Sequence, residues 1–523
     1  MYLYIYVYRN MEVETVSEKK GLLGSISYVM IIMLLSRVLS LVSSSVYMSF
    51  FGADDLYLNI YSYAITIPNT IFNCFGTALS TVVIPIYASH IAEKKYDKAQ
   101  AFANNIITVA SAFTACLVII GMALSFVIPR FTAFNEGESY SFAVKSLMIM
   151  MPVMIFYGLN YIFQGMLQSV GKYGWPAFVS VPSSLIVILY VFTLADKFGV
   201  TGLLVATFIG LSLQALILIP PLFKSGYRYT PSFNLKNPDI ISAGKMTVPV
   251  LIGVSAYQLN MFYNTSMIAR FEGMVSLLTY VQNIVVYMVL AFVYSVTAVL
   301  YPKLTQSIAL GKTDEYKNTL STVLTNVWML LVPITFGLIS VRSELLSLII
   351  GWGKTGDDSI KAASLLMLMY CIGIIGVGSK EILDRAFYAI KDTKTPAVNG
   401  FVIMAVNIIL SLILIKHIGA YGIPLAYSVA SITGLCVLLY LLKRKIGAFA
   451  KGLGTSLVKS VISGAVMYVA VVAVRNALSG AVGSDGVAAR LVRLGVPCIV
   501  GVVVYGIMLL ILMRDKLKAL RNR

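Results

Sequence analysis

Long apolar runs separated by short polar segments recur along the whole chain. A helix needs about 20 largely apolar residues to cross a bilayer, where its own hydrogen bonds must satisfy every backbone N–H and C=O. Runs of that length fall at 24–51, 60–87, 102–129, 143–168, 176–195, 200–223, 246–269, 276–301, 318–341, 360–388, 397–416, 420–442, 455–477 and 491–513. The pattern predicts an all-α polytopic membrane protein with about 14 transmembrane helices.

Composition strengthens this prediction. Apolar residues make up 59% of the 523 residues and charged residues 12%, whereas soluble domains carry roughly 25% charged residues. The formal charge of +18 is spread over short loops without an aromatic-basic module, so nucleic acid is not expected as a partner. The five cysteines lie singly inside apolar runs, which argues against a cysteine metal site or a disulfide framework.

Lysine and arginine give the predicted spans a direction. With the N-terminus inside, 27 of the 40 Lys and Arg residues fall on the inner side, counting Arg385 at the membrane edge, and 10 fall outside. Arg37, Lys145 and Lys380 remain within spans. Because positive residues mark cytoplasmic loops, we expect a multi-pass protein of the bacterial inner (plasma) membrane with both termini in the cytoplasm.

The two halves of the chain resemble each other. Residues 91–97 match 308–314 at an offset of 217, and residues 198–202 match 418–422 at an offset of 220. Several matches at nearly constant spacing indicate a duplication.

This duplication predicts three parts. They are an N-lobe of six helices at 1–232, a C-lobe of six helices at 233–446, and two extra helices with a basic cytoplasmic tail at 447–523. Because six is even, the two lobes form a parallel pseudo-repeat, as in transporters that hold a central cleft between such lobes.

No catalytic pattern is found in the sequence. GxSxG, Walker A, HExxH and cysteine-nucleophile signatures do not occur, and the two histidines, His90 and His417, lie near membrane edges. We therefore expect no enzyme activity and no cofactor. Transport would be coupled to the membrane potential, to a monovalent cation or to the gradient of the substrate itself.

Arg37 lies in the middle of the first span. A charged side chain within a span costs about 2.5 to 3.5 kcal/mol on insertion scales, so it usually faces a cavity or a partner. The planar guanidinium suits bidentate recognition of phosphate. We predict that Arg37 binds an anionic group in a cavity, and a structural salt bridge or helix tie is the alternative.

Amides and hydroxyls within spans are further candidates for substrate binding. They are Asn69, Asn73, Ser255, Gln258, Asn264 and Asn283. Such polar rows either bridge helices or wet a cavity wall, and both interpretations stay open. Pro68 and Pro249 break comparable spans of the two lobes, which fits either gating hinges or ordinary kinked packing.

The densest polar cluster of the chain lies at the end of span 10. The candidates for a gate or motif function there are Lys380, Glu381, Arg385, Asp392 and Lys394. Spacing indicates a helix end that is capped by charge and stopped by Pro396. Closing a cytoplasmic gate is the second interpretation.

The same cluster carries a family resemblance. Arg385-Ala-Phe387-Tyr388, followed by Asp392 and Lys394-Thr395-Pro396, resembles the signature of the MurJ (MviN) lipid II flippases of the MOP exporter superfamily. Shorter matches run from span 1 to the start of span 11 and include Ser36-Arg37-Val38-Leu39, Phe51-Gly52-Ala53, Pro68-Asn69, Val254-Ser255 and Tyr301-Pro302.

The resemblance implies a flippase that moves undecaprenyl-pyrophosphate-linked peptidoglycan precursor (lipid II) from the inner to the outer leaflet by alternating access. Its partners would be this polyprenyl-pyrophosphate-linked glycan and the lipid bilayer, and we expect a monomer. In the family, the groove for the polyprenyl tail is associated with the two extra helices, here spans 13 and 14. The pyrophosphate would bind near Arg37.

The chain also departs from the family pattern. Positions that hold cavity arginines or acidic residues in the family hold Ser43, Ser44, Phe72, Thr77 and Asn283 here. The alternatives are therefore a flippase for another polyprenyl-linked saccharide or a cation-coupled multidrug antiporter, which would need a buried carboxylate in span 1 or 7. A membrane scaffold without transport is a further alternative, and it would need a sealed apolar interior.

Overall fold

The computed structural model describes residues 19–449, 452–481 and 486–513. The basic tail from residue 514 onward and the side chains of Thr77 and Pro249 lie outside the described part. The chain divides into two compact units, one made of Met1–Phe51 with Asp55–Ser276 and the other of Gly52–Asp54 with Leu277–Arg523.

Ten α-helices of the described residues belong to the first unit. They are α1 (Lys19–Phe51), α2 (Leu56–Ala92), α3 (Tyr96–Leu124), α4 (Gly137–Met150), α5 (Val153–Ser169), α6 (Gly174–Phe178), α7 (Val181–Thr193), α8 (Ala195–Leu216), α9 (Ile219–Lys224) and α10 (Pro238–Ile268). A short 3₁₀ turn lies at Ile128–Phe131 between α3 and α4.

The unit boundary falls inside α11 (Met274–Gln282). A π-helical turn at Asn283–Tyr287 continues α11. The remaining described helices of the second unit are α12 (Met288–Ala309), α13 (Thr313–Ile349), α14 (Asp357–Cys371), α15 (Ile374–Ala389), α16 (Lys394–Ile418), α17 (Gly422–Ile446), α18 (Leu453–Ala481) and α19 (Val487–Leu512).

The predicted membrane spans coincide with these helices. Among the described residues, ten helical stretches are long and apolar enough to cross a membrane, or eleven if the bent pair α14 and α15 counts as one span. One of those stretches, Lys394–Ile446, contains two predicted spans separated by a 3₁₀ turn at Gly419–Tyr421. Every predicted apolar run lies mainly on one helix or on two consecutive helices, which confirms an all-α polytopic fold with about 14 spans.

The duplication is visible in the backbone. Gly199 (φ 54°, ψ −149°) and Gly419 (φ 60°, ψ −138°) lie 220 residues apart and share a conformation that L side chains rarely adopt. The other matched positions with positive φ are Lys94 with Gly311 and Gly171 with Lys391. Equivalent parts of the two halves therefore form the same turns.

Spans 4 and 10 are broken at matching places. Span 4 consists of α4 and α5 and breaks at Pro152, which has no N–H to donate. Span 10 consists of α14 and α15, which meet at 41°. At that break a Cβ on Gly373 would lie 2.7 Å from the Cα of Ser428, and the Ser428 hydroxyl donates to the carbonyl oxygen of Met369 at 2.5 Å. The second half thus breaks its span through a close approach of helices rather than through proline.

The expectation that Pro396 stops the span 10 helix is wrong. Helix α15 ends at Ala389, and the turn that follows holds Lys391 at a φ of 61°. Pro396 lies in the first turn of α16, where a missing N–H costs no intrahelical hydrogen bond. The turn ends the span, and the proline begins the next one.

The core of the first unit lies where α2, α3, α5, α9 and α10 meet. Its buried side chains include Val83, Phe102, Met166 and Leu222. Helix α10, which the repeat assigns to the C-lobe, packs closely on α2 within the first unit. The first packing unit ends at Ser276, whereas the predicted N-lobe ends at residue 232. Packing and sequence repeat need not divide a chain at the same residue, so the lobe boundary stays a prediction.

The two extra helices pack on α13 in the second unit. Val332 and Val341 of α13 form an apolar cluster with Met467 and Val471 of α18 and Tyr505 of α19. Helix α13 departs from helical geometry at Val341 (φ −111°, ψ 15°).

Arginines of the extra helices contact this part of α13. Arg475 donates to the carbonyl oxygen of Ser340 at 2.8 Å, beside the departure, and Arg490 donates to that of Ser347 at 2.9 Å, near the end of the helix. Helices α18 and α19 therefore hydrogen-bond backbone carbonyl groups of α13 at the departure from helical geometry and near the end of the helix.

Candidate functional site

Helix α1 carries a polar face around Arg37. Arg37, Ser40 and Ser44 follow at helical spacing, whereas Leu35 and Val42, which are 62% and 46% exposed, lie on the opposite face. The Arg37 side chain is exposed, and no described residue pairs with it through a salt bridge or hydrogen bond. The guanidinium therefore remains available to a ligand, as the cavity interpretation requires.

Helices α2 and α5 bring together two of the predicted amides. The Tyr161 hydroxyl donates to Oδ1 of Asn73 at 2.7 Å, and Nδ2 of Asn73 donates to Oδ1 of Asn69 at 2.7 Å. The sequence reasoning missed Tyr161, although a polar face along span 4 at residues 157, 160, 161, 164 and 168 was available as a signal.

Helix α10 meets α2 through a small polar contact. Ser255 donates to the carbonyl oxygen of Leu251 at 2.5 Å, and its hydroxyl lies beside the thiol of Cys74 on α2. Gln258, one turn further along α10, is half-buried, and its carboxamide contacts no described polar group. Asn264 is 2% exposed, and both interpretations of this amide stay predictions.

Asn283 belongs to the second unit and begins the π-helical turn after α11. Its Nδ2 donates to the carbonyl oxygen of Thr279 at 2.9 Å. Single π turns are rare and often lie at functional sites. The contact gives Asn283 a local structural role.

Charged residues follow the break of span 10. Nζ of Lys380 lies 2.6 Å from Oδ2 of Asp384 and 3.4 Å from Oε1 of Glu381. Asp384 is buried, and the sequence reasoning left it out of the candidate set. The guanidinium of Arg385 lies 5.7 Å from the ring centre of Tyr388. One ammonium thus faces two carboxylates inside the unit, so breaking this contact would leave a buried negative charge.

Asp392 ties the turn after α15 to the next two helices. It pairs with the Lys445 ammonium at the end of α17 and accepts hydrogen bonds from the backbone N–H of Thr395 at 3.0 Å and its hydroxyl at 2.5 Å. Burial alone would raise the pKa of Asp392, but these hydrogen bonds outweigh burial and hold the pKa at about 2. Asp392 is therefore ionised at neutral pH and caps the start of α16.

The first half has a counterpart of this contact. Lys172, 220 residues before Asp392, donates from Nζ to the hydroxyl of Ser225 at 2.8 Å, and Ser225 lies 220 residues before Lys445. Lys394 is exposed, and its ammonium forms no salt bridge or hydrogen bond with a described residue. The geometry supports the helix-end interpretation of the cluster, and a role in gating stays a prediction.

The family of the chain follows from comparison with known proteins. Residues 47–491 match the family model described as "Lipid II flippase MurJ". The chain belongs to the MurJ family. The probable lipid II flippase MurJ of Vibrio cholerae is 25% identical over 438 residues, covering 81% of this chain and 83% of the relative. The lipid II flippase MurJ of Burkholderia cenocepacia is 26% identical, covering 79% and 82%.

Solved structures agree with the MurJ fold. A structure of lipid II flippase MurJ in an inward closed conformation is 23% identical, covers 93% of this chain and 99% of its own, and superposes with a TM-score of 0.79. An inward-facing MATE transporter of the MOP superfamily is 12% identical, covers 80% of this chain, and superposes with a TM-score of 0.68. The chain therefore has the fold that MurJ proteins share with MOP transporters.

Proposed function

We propose that this chain is a lipid II flippase of the inner membrane. It moves undecaprenyl-pyrophosphate-linked peptidoglycan precursor from the inner to the outer leaflet by alternating access. The observation that carries the proposal is the match to the MurJ family model over residues 47–491, because it extends over most of the spans. The curated relatives that carry the name lipid II flippase align along about four fifths of both chains.

Arg37 binds the pyrophosphate of the substrate. Its guanidinium is exposed within a span, and a charge there is tolerated where water or an anion replaces the lost hydration. Ser255 and Gln258 supply neutral hydrogen-bonding groups from α10. The family's other cavity arginines are absent from this chain. It therefore binds the headgroup with one guanidinium and several amides, whereas the family uses more cations.

The charged cluster after span 10 acts as part of the cytoplasmic gate in this proposal. Both termini are cytoplasmic, so the turn that contains Asp392 lies on the cytoplasmic side. Its ion pair with Lys445 links the start of α16 to the end of α17 in the present conformation. Energy comes from the membrane potential or from a monovalent cation, and the protein works as a monomer.

The proposal is tested in a bacterium depleted of its own lipid II flippase. Expression of this chain is expected to restore growth and outer-leaflet lipid II, and Arg37→Ala is expected to abolish both. The matched control is Arg130→Ala, which removes an exposed arginine of the 3₁₀ turn between α3 and α4. Absence of rescue despite membrane insertion would refute the function, and rescue by Arg37→Ala equal to that of the unchanged chain would refute the site.

A further inference from the structure

Helices α2 and α5 present a neutral wall of amides and phenols in the first unit. The α2–α5 wall consists of Asn69, Asn73, Tyr157, Tyr161 and Gln164. All five side chains are partly exposed. Gln164 donates to Oδ1 of Asn160 at 3.0 Å, which fixes its amide nitrogen toward α5. No charged group belongs to the wall, so it differs in chemistry from the face that carries Arg37.

The wall is held in one arrangement by packing. A Cβ on Gly76 would lie 2.2 Å from Cδ2 of Tyr161, so only glycine lets this ring lie against α2. Phe72 is 1% exposed, and its ring centre lies 6.3 Å from those of Tyr157 and Tyr161, with angles of 28° and 30° between the ring planes. Together with the hydrogen bond to Asn73, these contacts fix the phenol. A preorganised polar surface binds ligands at a lower entropic cost.

Several polar groups of the wall are open, in the sense that no described group hydrogen-bonds them. Within the described part of the chain, Nδ2 of Asn69, the Tyr157 hydroxyl and Oε1 of Gln164 have no hydrogen-bond partner. Amides that face hydrocarbon without partners are unfavourable by roughly 1 to 3 kcal/mol each. The open groups therefore face water or a polar ligand, and they offer both donors and acceptors.

This chemistry suits a saccharide better than a phosphate. A phosphate needs cations or several converging N–H groups, and the wall has no cation. A sugar ring presents hydroxyl groups of both polarities and an apolar C–H face, which match amides, phenols and aromatic rings. Phe72, at a position where the family resemblance implies an arginine, supplies an aromatic ring against Tyr157 and Tyr161 and no cation.

We propose that the α2–α5 wall binds the saccharide of the lipid-linked substrate, while Arg37 binds its pyrophosphate. This inference rests on the proposed flippase function and adds the residues that recognise the glycan. Most of the selectivity for the headgroup then comes from the sugar, because a ligand that lacks a sugar hydroxyl would leave an amide of the wall without a hydrogen-bond partner.

Binding to the protein in lipid nanodiscs separates the two contributions. The probes are undecaprenyl pyrophosphate and the same lipid carrying the disaccharide without its peptide. The unchanged protein is expected to bind the disaccharide lipid at least about tenfold more tightly. Asn69→Ala and Tyr161→Phe are each expected to weaken that binding about five- to tenfold and to leave the affinity for undecaprenyl pyrophosphate unchanged, since the first removes an open amide of the wall and the second removes the hydroxyl that holds Asn73 in place.

Tyr190→Phe is the matched control. It also removes one tyrosine hydroxyl bond within the first unit, the one to the carbonyl oxygen of Gly199 at 2.6 Å, but away from the wall. It is expected to leave both affinities unchanged. Equal losses for both probes in the wall variants, or no loss, would overturn the inference.

The unchanged protein distinguishes this inference from the proposed function. If it binds both probes equally well, the saccharide contributes nothing and the inference falls, while the proposed function stands. If it binds neither probe, the proposed function falls together with the inference.

Discussion

Replacing Lys380 with methionine tests the buried charges after the break of span 10. The Lys380 ammonium lies 2.6 Å from Asp384, whose side chain is 9% exposed, and 3.4 Å from Glu381. Removing it leaves one buried carboxylate unpaired beside a second one. Breaking a buried pair in this way costs about 3 to 5 kcal/mol, because the remaining charge has lost its hydration without compensation.

The free energy of unfolding measures this cost in detergent micelles titrated with SDS. Lys380→Met is expected to lower it by about 3 to 5 kcal/mol, and adding Asp384→Asn to recover about 2 kcal/mol or more. The matched control is Lys361→Met, which removes the partner of Asp358 in a pair that is 75% and 97% exposed and is expected to leave the free energy of unfolding nearly unchanged. Equal costs for both lysines, or additive effects of Lys380→Met and Asp384→Asn, would refute the reasoning.

Three further outcomes are expected. Gly76→Ala should lower the free energy of unfolding by about 1 to 3 kcal/mol, because its Cβ would lie 2.2 Å from Tyr161, whereas Gly454→Ala, with open space around it, should not destabilise. The Asp392 carboxylate should contribute stability above about pH 4 that is lost as the pH falls to about 2, and an Asp392→Asn variant should lack this acid transition in a pH series of unfolding midpoints. Arg490→Ala should raise hydrogen exchange at the end of α13, whose carbonyl groups it satisfies; unchanged exchange would contradict that role.

The fold was largely predictable from the sequence because a bilayer imposes one rule on every span. Apolar length locates the helices, and the offset of 220 residues links Gly199 to Gly419, which share one backbone conformation. The break of span 10 was not predictable in the same way. It depends on the close approach of Gly373 to Ser428, which lies in a different helix, and only a three-dimensional arrangement reveals such a contact.

The candidate site was less predictable than the fold. Arg37 was identified because a charge within an apolar run is conspicuous, and Asn69 and Asn73 because amides in spans need partners. Tyr161 was missed because tyrosine in a span is ordinary as packing, and its role depends on the glycine across from it on α2. Asp384 was left out of the set because its burial against Lys380 follows from tertiary packing.

Translocation of lipid II by the purified protein tests the central claim most directly. Liposomes that contain the protein and fluorescent lipid II in both leaflets are treated with a membrane-impermeant quencher, and the accessible fraction is followed with time. Accessibility is expected to rise beyond the outer-leaflet fraction with the unchanged protein and not with Arg37→Ala. An accessible fraction that stays at the level of protein-free liposomes, with the protein folded and inserted, would rule out lipid II translocation by this chain.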